Sequence, residues 1–71
     1  MINEIAEHLS RIVGRVLYNE HSDSVHGPNR SRASETAGLT WALGELSEHF
    51  PEEMAAAERI AEAREQQRNR R

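Results

Sequence analysis

The sequence contains neither cysteine nor lysine, and only three of its 71 residues are aromatic. Without cysteine, no disulfide and no thiolate metal site can reinforce the fold. A domain near this size buries only about 60% of the surface that its unfolded chain exposes, so a single chain builds a small core. Association with a second copy or with another protein is therefore a natural way to complete that core.

Long apolar runs and a basic leader are also missing. No stretch approaches the ~20 apolar residues of a membrane-spanning helix, and the start, Met-Ile-Asn-Glu, is unlike a signal peptide. We therefore expect a cytoplasmic protein without membrane association. The formal net charge of −3 gives no general attraction to nucleic acid. Arginine supplies all nine basic side chains, which is typical of a G+C-rich bacterial or phage coding sequence.

The first helix is the clearest element of the sequence. Apolar residues recur at spacings of three and four, which places them in one stripe of a helix, whereas a strand would put Glu and Ile on the same face. We predict a helix from about residue 3 to residue 20, with Asn3 as its N-cap. The stripe consists of Ile2, Ile5, Ala6, Leu9, Ile12, Val13, Val16 and Leu17.

A second helix is predicted after a polar segment. Residues 21–31 contain Gly27-Pro28 and several turn-forming side chains, so we predict a loop there. The second helix, over about 32–49, has an apolar stripe suited to cover the first helix. Its members are Leu39, Ala42, Leu43, Leu46 and Phe50.

Pro51 fits the first position of a third helix, predicted over about 51–66, because a helix start leaves that N–H unbonded in any case. This helix is rich in alanine and has a thin apolar face, so we expect it to dock weakly. The Arg-rich tail 65–71 has no apolar residue and is expected to fray.

The predicted fold is therefore all-α, with a single small domain over residues 1–64. Helices one and two form an antiparallel hairpin, and the third C-terminal helix is looser. Because one chain of this length builds little core, we expect two copies to complete a dimeric helix bundle.

Trp41 lies away from the apolar stripe of the second helix. On a helical wheel it groups with small residues that let a neighbouring backbone come close, namely Ala37, Gly38 and Gly44. Tryptophan is enriched at protein interfaces because it buries a large area on a rigid frame. Two interpretations stay open: a protein partner, self or foreign, contacts this face, or the third helix of the same chain covers it.

The predicted start of the second helix is a candidate anion-binding site. Free backbone N–H groups there are joined by capping side chains and two guanidinium groups. The alternative is a capped helix start with two solvated arginines. The residues concerned are Asn29, Arg30, Ser31 and Arg32.

The C-terminus is a candidate contact for a phosphate backbone. Residues 64–71 have four arginines against Glu65, a net charge of +3. The alternative is a solvated helix end whose arginines suit the negative end of the helix dipole. The arginines are Arg64, Arg68, Arg70 and Arg71.

Few residues in the sequence suggest catalysis. His21, Asp23 and His26 lie close together beside Glu20, but their spacing matches no standard zinc motif. No glycine-rich phosphate loop is present, and groups adjacent in sequence do not make a catalytic triad. We expect no enzyme activity, no metal, no cofactor and no small-molecule substrate.

The sequence is therefore interpreted as a small, non-catalytic protein–protein interaction module. Its size and lack of lysine suggest a bacterial or phage accessory factor that binds a larger host protein, itself, or both. The alternative is a small nucleic-acid-associated regulator that uses the Arg-rich C-terminus.

Overall fold

The computed structural model describes residues 4–69, which form three helices: α1 (Glu4–His26), α2 (Arg30–His49) and α3 (Pro51–Asn69). The predicted all-α class is confirmed, and no strand occurs in this part of the chain. Asn3, the predicted N-cap of the first helix, and Ile2 lie outside the described residues.

The first helix is longer than predicted, and the loop predicted over residues 21–31 is wrong. α1 continues to His26, so the connection to α2 is only residues 27–29. Gly27 ends the helix in a left-handed conformation, φ 88°, and its N–H donates to the Asp23 carbonyl at 2.9 Å. The polar residues before Gly27 are weak helix formers rather than breakers, so the helix runs through them.

The start of α2 is fixed by Asn29, one of the capping residues that the sequence offers. Its side-chain oxygen accepts a hydrogen bond from the Arg32 N–H at 3.0 Å. The helix ends at His49, and Phe50 alone connects it to Pro51, the first residue of α3. Helix α3 then continues to Asn69, so residues 65–69, predicted to fray, are helical, while residues 70 and 71 lie outside the description.

The closest helix packing is between α1 and α3. The fully buried apolar residues come from these two helices, and α2 contributes none. Three of the five are alanines, which let the two backbones approach closely. The expectation that α3 is the looser helix is therefore wrong. It rested on the small number of large apolar residues in α3, whereas alanine side chains let two helices pack closely. The buried apolar set is Ala6, Leu9, Met54, Ala57 and Ala61.

Helix α2 packs less deeply, through partly buried side chains. Leu43, Leu46 and Phe50 rest against the cluster of Leu9, Met54 and Ala57. Contacts between α2 and α3 are the sparsest of the three helix pairs. The predicted apolar stripe of α2 thus contacts the core, but it is not enclosed by it.

The molecule is flat and open for its mass. Its dimensions are 36 × 29 × 13 Å, and its exposed area is 5353 Å². A compact monomer of 8.1 kDa exposes about 4,500 Å². The radius of gyration, 12.6 Å, also exceeds the roughly 11 Å of a compact chain of this length.

None of the three helices combines the length and the hydrophobicity that crossing a bilayer requires.

Candidate functional site

Trp41 projects from α2 into open space. Its exposed fraction is 71%, and no other large apolar side chain among residues 4–69 is as exposed. Ala37, Gly38 and Gly44, which the sequence groups with it, are exposed as well. Helix α3 does not cover this face, so the residues that we name the Trp41 face (Ala37, Gly38, Trp41, Gly44) are accessible.

The glycines of the Trp41 face have no role in packing within the chain. A Cβ atom added to Gly38 or Gly44 would meet nothing within 4 Å. Glycine in a helix interior costs about 0.5–1 kcal/mol relative to alanine. The fold therefore gains nothing from these two glycines that would offset their cost.

A polar network joins α2 to α1 on the other side of the helix. Arg15 donates two hydrogen bonds to the Glu35 carboxylate, at 2.7 and 3.4 Å, and the Asn19 amide donates to the same carboxylate at 2.7 Å and to Thr36 at 3.1 Å. Asn19 is 1% exposed, and its carbonyl oxygen has no partner within the described chain. The hydrogen bond from Arg15, and to a smaller extent that from Asn19, lowers the pKa of Glu35 below its ordinary 4.5.

The predicted anion-binding residues lie at the turn between α1 and α2, where two of them form internal bonds. Asn29 caps α2. Arg32 donates to the Asp23 carboxylate and to the Gly27 carbonyl, each at 2.8 Å. Arg30 and Ser31 are exposed. The cluster thus closes the turn. The Arg32 N–H, which an anion at this helix start would need, already donates to the Asn29 side chain.

The C-terminal arginines within the description are engaged along α1. Arg64 donates to Glu7 at 2.9 and 3.2 Å and to the Ser10 hydroxyl at 3.3 Å. Its hydrogen bond lowers the pKa of Glu7. Arg68 pairs with Glu65 and lies 5.3 Å from the centre of the Tyr18 ring. Arg70 and Arg71 lie outside the described residues.

The residues considered for a metal site are not brought together. His21, Asp23 and His26 belong to the last turns of α1, and Asp23 is paired with Arg32. Within residues 4–69, no three His, Asp or Glu side chains converge in a way that could hold a metal ion.

An open groove, not anticipated from the sequence, lies among the three helices. Its volume is about 390 Å³. Its apolar lining is Val13, Val16, Leu17, Leu43 and Met54, and its polar lining is Glu20, Thr40, Gly44, Ser47, Glu58 and Glu62. We call it the inter-helix groove. Glu58 and Glu62 are one turn apart on α3, and the packing of the helices places them in the lining of the same groove as Glu20.

No protein-family model matches the chain, and the comparisons with curated proteins and with solved structures found no match.

Proposed function

We propose that this protein is a small helical protein–protein interaction module whose Trp41 face is covered by a protein partner. The observation that carries the proposal is the 71% exposure of Trp41, on a helix that has no fully buried residue. A tryptophan left in water forgoes the burial of a large apolar area, which an interface recovers. Gly38 and Gly44 beside it leave room for a partner backbone.

The proposed arrangement within the chain is an antiparallel hairpin of α1 and α2. The order of the polar contacts supports it: Arg32 meets Asp23 near the turn, and Glu35, further along α2, meets Asn19 and Arg15, which come earlier in α1. In such a hairpin the Trp41 face points away from α1. A partner helix then adds to α2 without disturbing the hairpin.

A second copy of the chain is the first partner that we propose. The exposed area, 5353 Å², is larger than the roughly 4,500 Å² of a compact monomer of this mass. Each partner in a standard protein interface buries roughly 800 Å². Two copies that pack through α2 would complete a bundle with the burial that each single chain lacks.

The alternative, a nucleic-acid-associated regulator, receives less support. Arg64 and Arg68, the described members of the basic C-terminus, are engaged by Glu7 and Glu65. Phosphate binding would have to displace these carboxylates.

The test uses Trp41 as a reporter, since it is the single tryptophan of the chain. Light scattering over a range of concentrations is expected to show a mass that rises from 8.1 kDa toward twice that value. Over the same range, quenching of the tryptophan by acrylamide should fall. Trp41→Ala should remain monomeric with unchanged helix content, because the side chain is not part of the core.

A monomer at every concentration, with Trp41 fully quenchable, would contradict self-association. The foreign partner is then tested by a photo-crosslinking residue placed at Ala37, with Ala63, an exposed alanine of α3, as the matched control site. Crosslinks to one protein from position 37 and not from position 63 support the Trp41 face. Equal crosslinking from both positions, or none from either, rejects it.

A further inference from the structure

The inter-helix groove is a second exposed apolar surface, separate from Trp41. Three of its apolar residues, Val13, Val16 and Leu17, belong to α1 and are only partly buried. Leu43 of α2 and Met54 of α3 complete the apolar lining. Trp41 does not line the groove, and Gly44 is the one member of the Trp41 face that does.

The length of the groove fits two turns of an α-helix. The lining residues run from Val13 to Glu20 on α1, from Thr40 to Ser47 on α2, and from Met54 to Glu62 on α3. At 1.5 Å per residue, each of these segments is about 10–12 Å long. An amphipathic helix that presents apolar side chains at positions i, i+3 or i+4, and i+7 covers the same length.

The charged side chains that line the groove within the described part of the chain are all acidic. Its charged lining residues are Glu20, Glu58 and Glu62, and none of the three forms an ion pair with another residue in the described range 4–69. Among residues 4–69, no basic side chain lines the groove. An apolar helix flanked by arginine or lysine is therefore complementary to it in both hydrophobicity and charge.

A second copy of the chain is a poorer match for this groove. Its most exposed apolar side chain, Trp41, is followed on the same helix by Glu45 and Glu48. Docking that face would set these carboxylates against the acidic groove, which is unfavourable.

We propose that the inter-helix groove binds an amphipathic, basic helical segment of another protein, with apolar side chains on Val13, Val16, Leu17 and Leu43 and basic side chains beside Glu20, Glu58 and Glu62. This inference rests on the proposed function, because the groove and the Trp41 face each require a protein partner. The groove proposal adds the chemical class of that partner and a binding surface that does not include Trp41.

The probe is a labelled alanine-based peptide of about 16 residues, because shorter isolated helices are marginal in water. Leucines occupy one face at i, i+3 and i+7, and arginines flank them. A second peptide has glutamate in place of each arginine. Fluorescence anisotropy is expected to show saturable binding of the arginine peptide, weaker at high salt, and little binding of the glutamate peptide.

The variant Glu58→Gln/Glu62→Gln removes two groove charges and keeps good helix formers. We expect it to weaken binding of the arginine peptide roughly five- to tenfold. The matched control, Glu45→Gln/Glu48→Gln, removes the same charge from α2 outside the groove and should leave binding unchanged. Amide chemical-shift changes in the wild-type chain should cluster at residues 13–20, 40–47 and 54–62.

Several outcomes would overturn the groove proposal. These are no saturable binding of the arginine peptide, equal weakening by both double variants, equal binding of both peptides, or shift changes centred on residues 37–45 without those of α1 and α3. Self-association that strengthens in Glu58→Gln/Glu62→Gln would identify a second copy as the occupant and also reject it. Trp41→Ala separates the two proposals, because it should abolish association through the Trp41 face and leave peptide binding intact.

Discussion

At the scale of single side chains, polar contacts join α2 to α1 in addition to the packing of Leu43, Leu46 and Phe50 on the core. Glu35 accepts hydrogen bonds from both Arg15 and Asn19, so one carboxylate joins two positions of α1. Buried Asn19 has an unpartnered carbonyl oxygen within the described structure, and a buried polar atom without a partner costs about 1–3 kcal/mol. Protonation of Glu35 would weaken the hydrogen bonds that its carboxylate accepts from Arg15 and Asn19, and with them this link between α1 and α2.

Acid should weaken the attachment of α2 through Glu35. Its pKa in the folded chain is below the ordinary 4.5, so its stabilising effect is complete above about pH 4.5 and is lost as the pH falls through the folded-state value. Thermal unfolding followed by circular dichroism from pH 7 to pH 3 should show a smaller drop in Tm for Glu35→Gln than for the wild type. Glu48→Gln serves as the control on the same helix, and an identical pH profile for all three proteins would contradict this assignment.

At the scale of the helix, the α1–α3 contact is built from small residues. Ala57 has no exposed surface and belongs to the core cluster with Leu9 and Met54. At the same contact, Ser10 is 1% exposed and accepts a hydrogen bond from Arg64. Close approach of the two backbones, rather than the size of the side chains, makes α3 the better-packed partner of α1.

Enlarging Ala57 should therefore disrupt the contact between α1 and α3. We expect Ala57→Leu to reduce the free energy of unfolding by about 1–3 kcal/mol, because a close-packed site has no room for extra methylenes. Ala55→Leu makes the same change at an exposed position of α3 and should alter stability by less than about 0.5 kcal/mol. Urea denaturation measures both variants. Equal effects of the two substitutions would show that α3 is not docked as described.

The sequence predicted the helices better than it predicted how they pack. Pro51 marks the start of α3, and the three-and-four spacing from Ile5 to Leu17 marks α1, because both signals are local. The end of α1 depends on Gly27 and on Arg32, which lies across the turn and bonds Asp23 and the Gly27 carbonyl. Polar composition alone does not reveal that pairing. The dominance of α3 depends on alanines, which contribute little to a hydrophobic pattern yet permit the closest packing.

Of the two candidate surfaces, the sequence predicts the Trp41 face but not the inter-helix groove. Trp41 stands out from the stripe of α2 on a helical wheel, so its separate face follows from spacing alone. The acidic lining of the inter-helix groove does not, because Glu20 and Glu62 are far apart in sequence and share the groove only through the packing of the helices. The anion site at residues 29–32 is predicted from the composition of a helix start, which does not show that Arg32 is paired with Asp23.

For the whole molecule, α1 and α3 form the closely packed pair, and α2 is the helix that the rest of the chain covers incompletely. Two observations indicate this: the exposed area is larger than that of a compact monomer, and α2 has no fully buried residue. Helices with few buried contacts open more readily than the core does. Stability should consequently be uneven along the chain.

Amide hydrogen exchange, measured residue by residue at two protein concentrations, compares the stability of α2 with that of α1 and α3. At a concentration where the chain is monomeric, amides in the middle of α2 should exchange faster than those in the middle of α1 and α3. As the concentration rises or a partner is added, α2 should gain protection most, around Trp41. Protection of α2 equal to that of α1 and α3 in the monomer, with no change on association, would contradict the account.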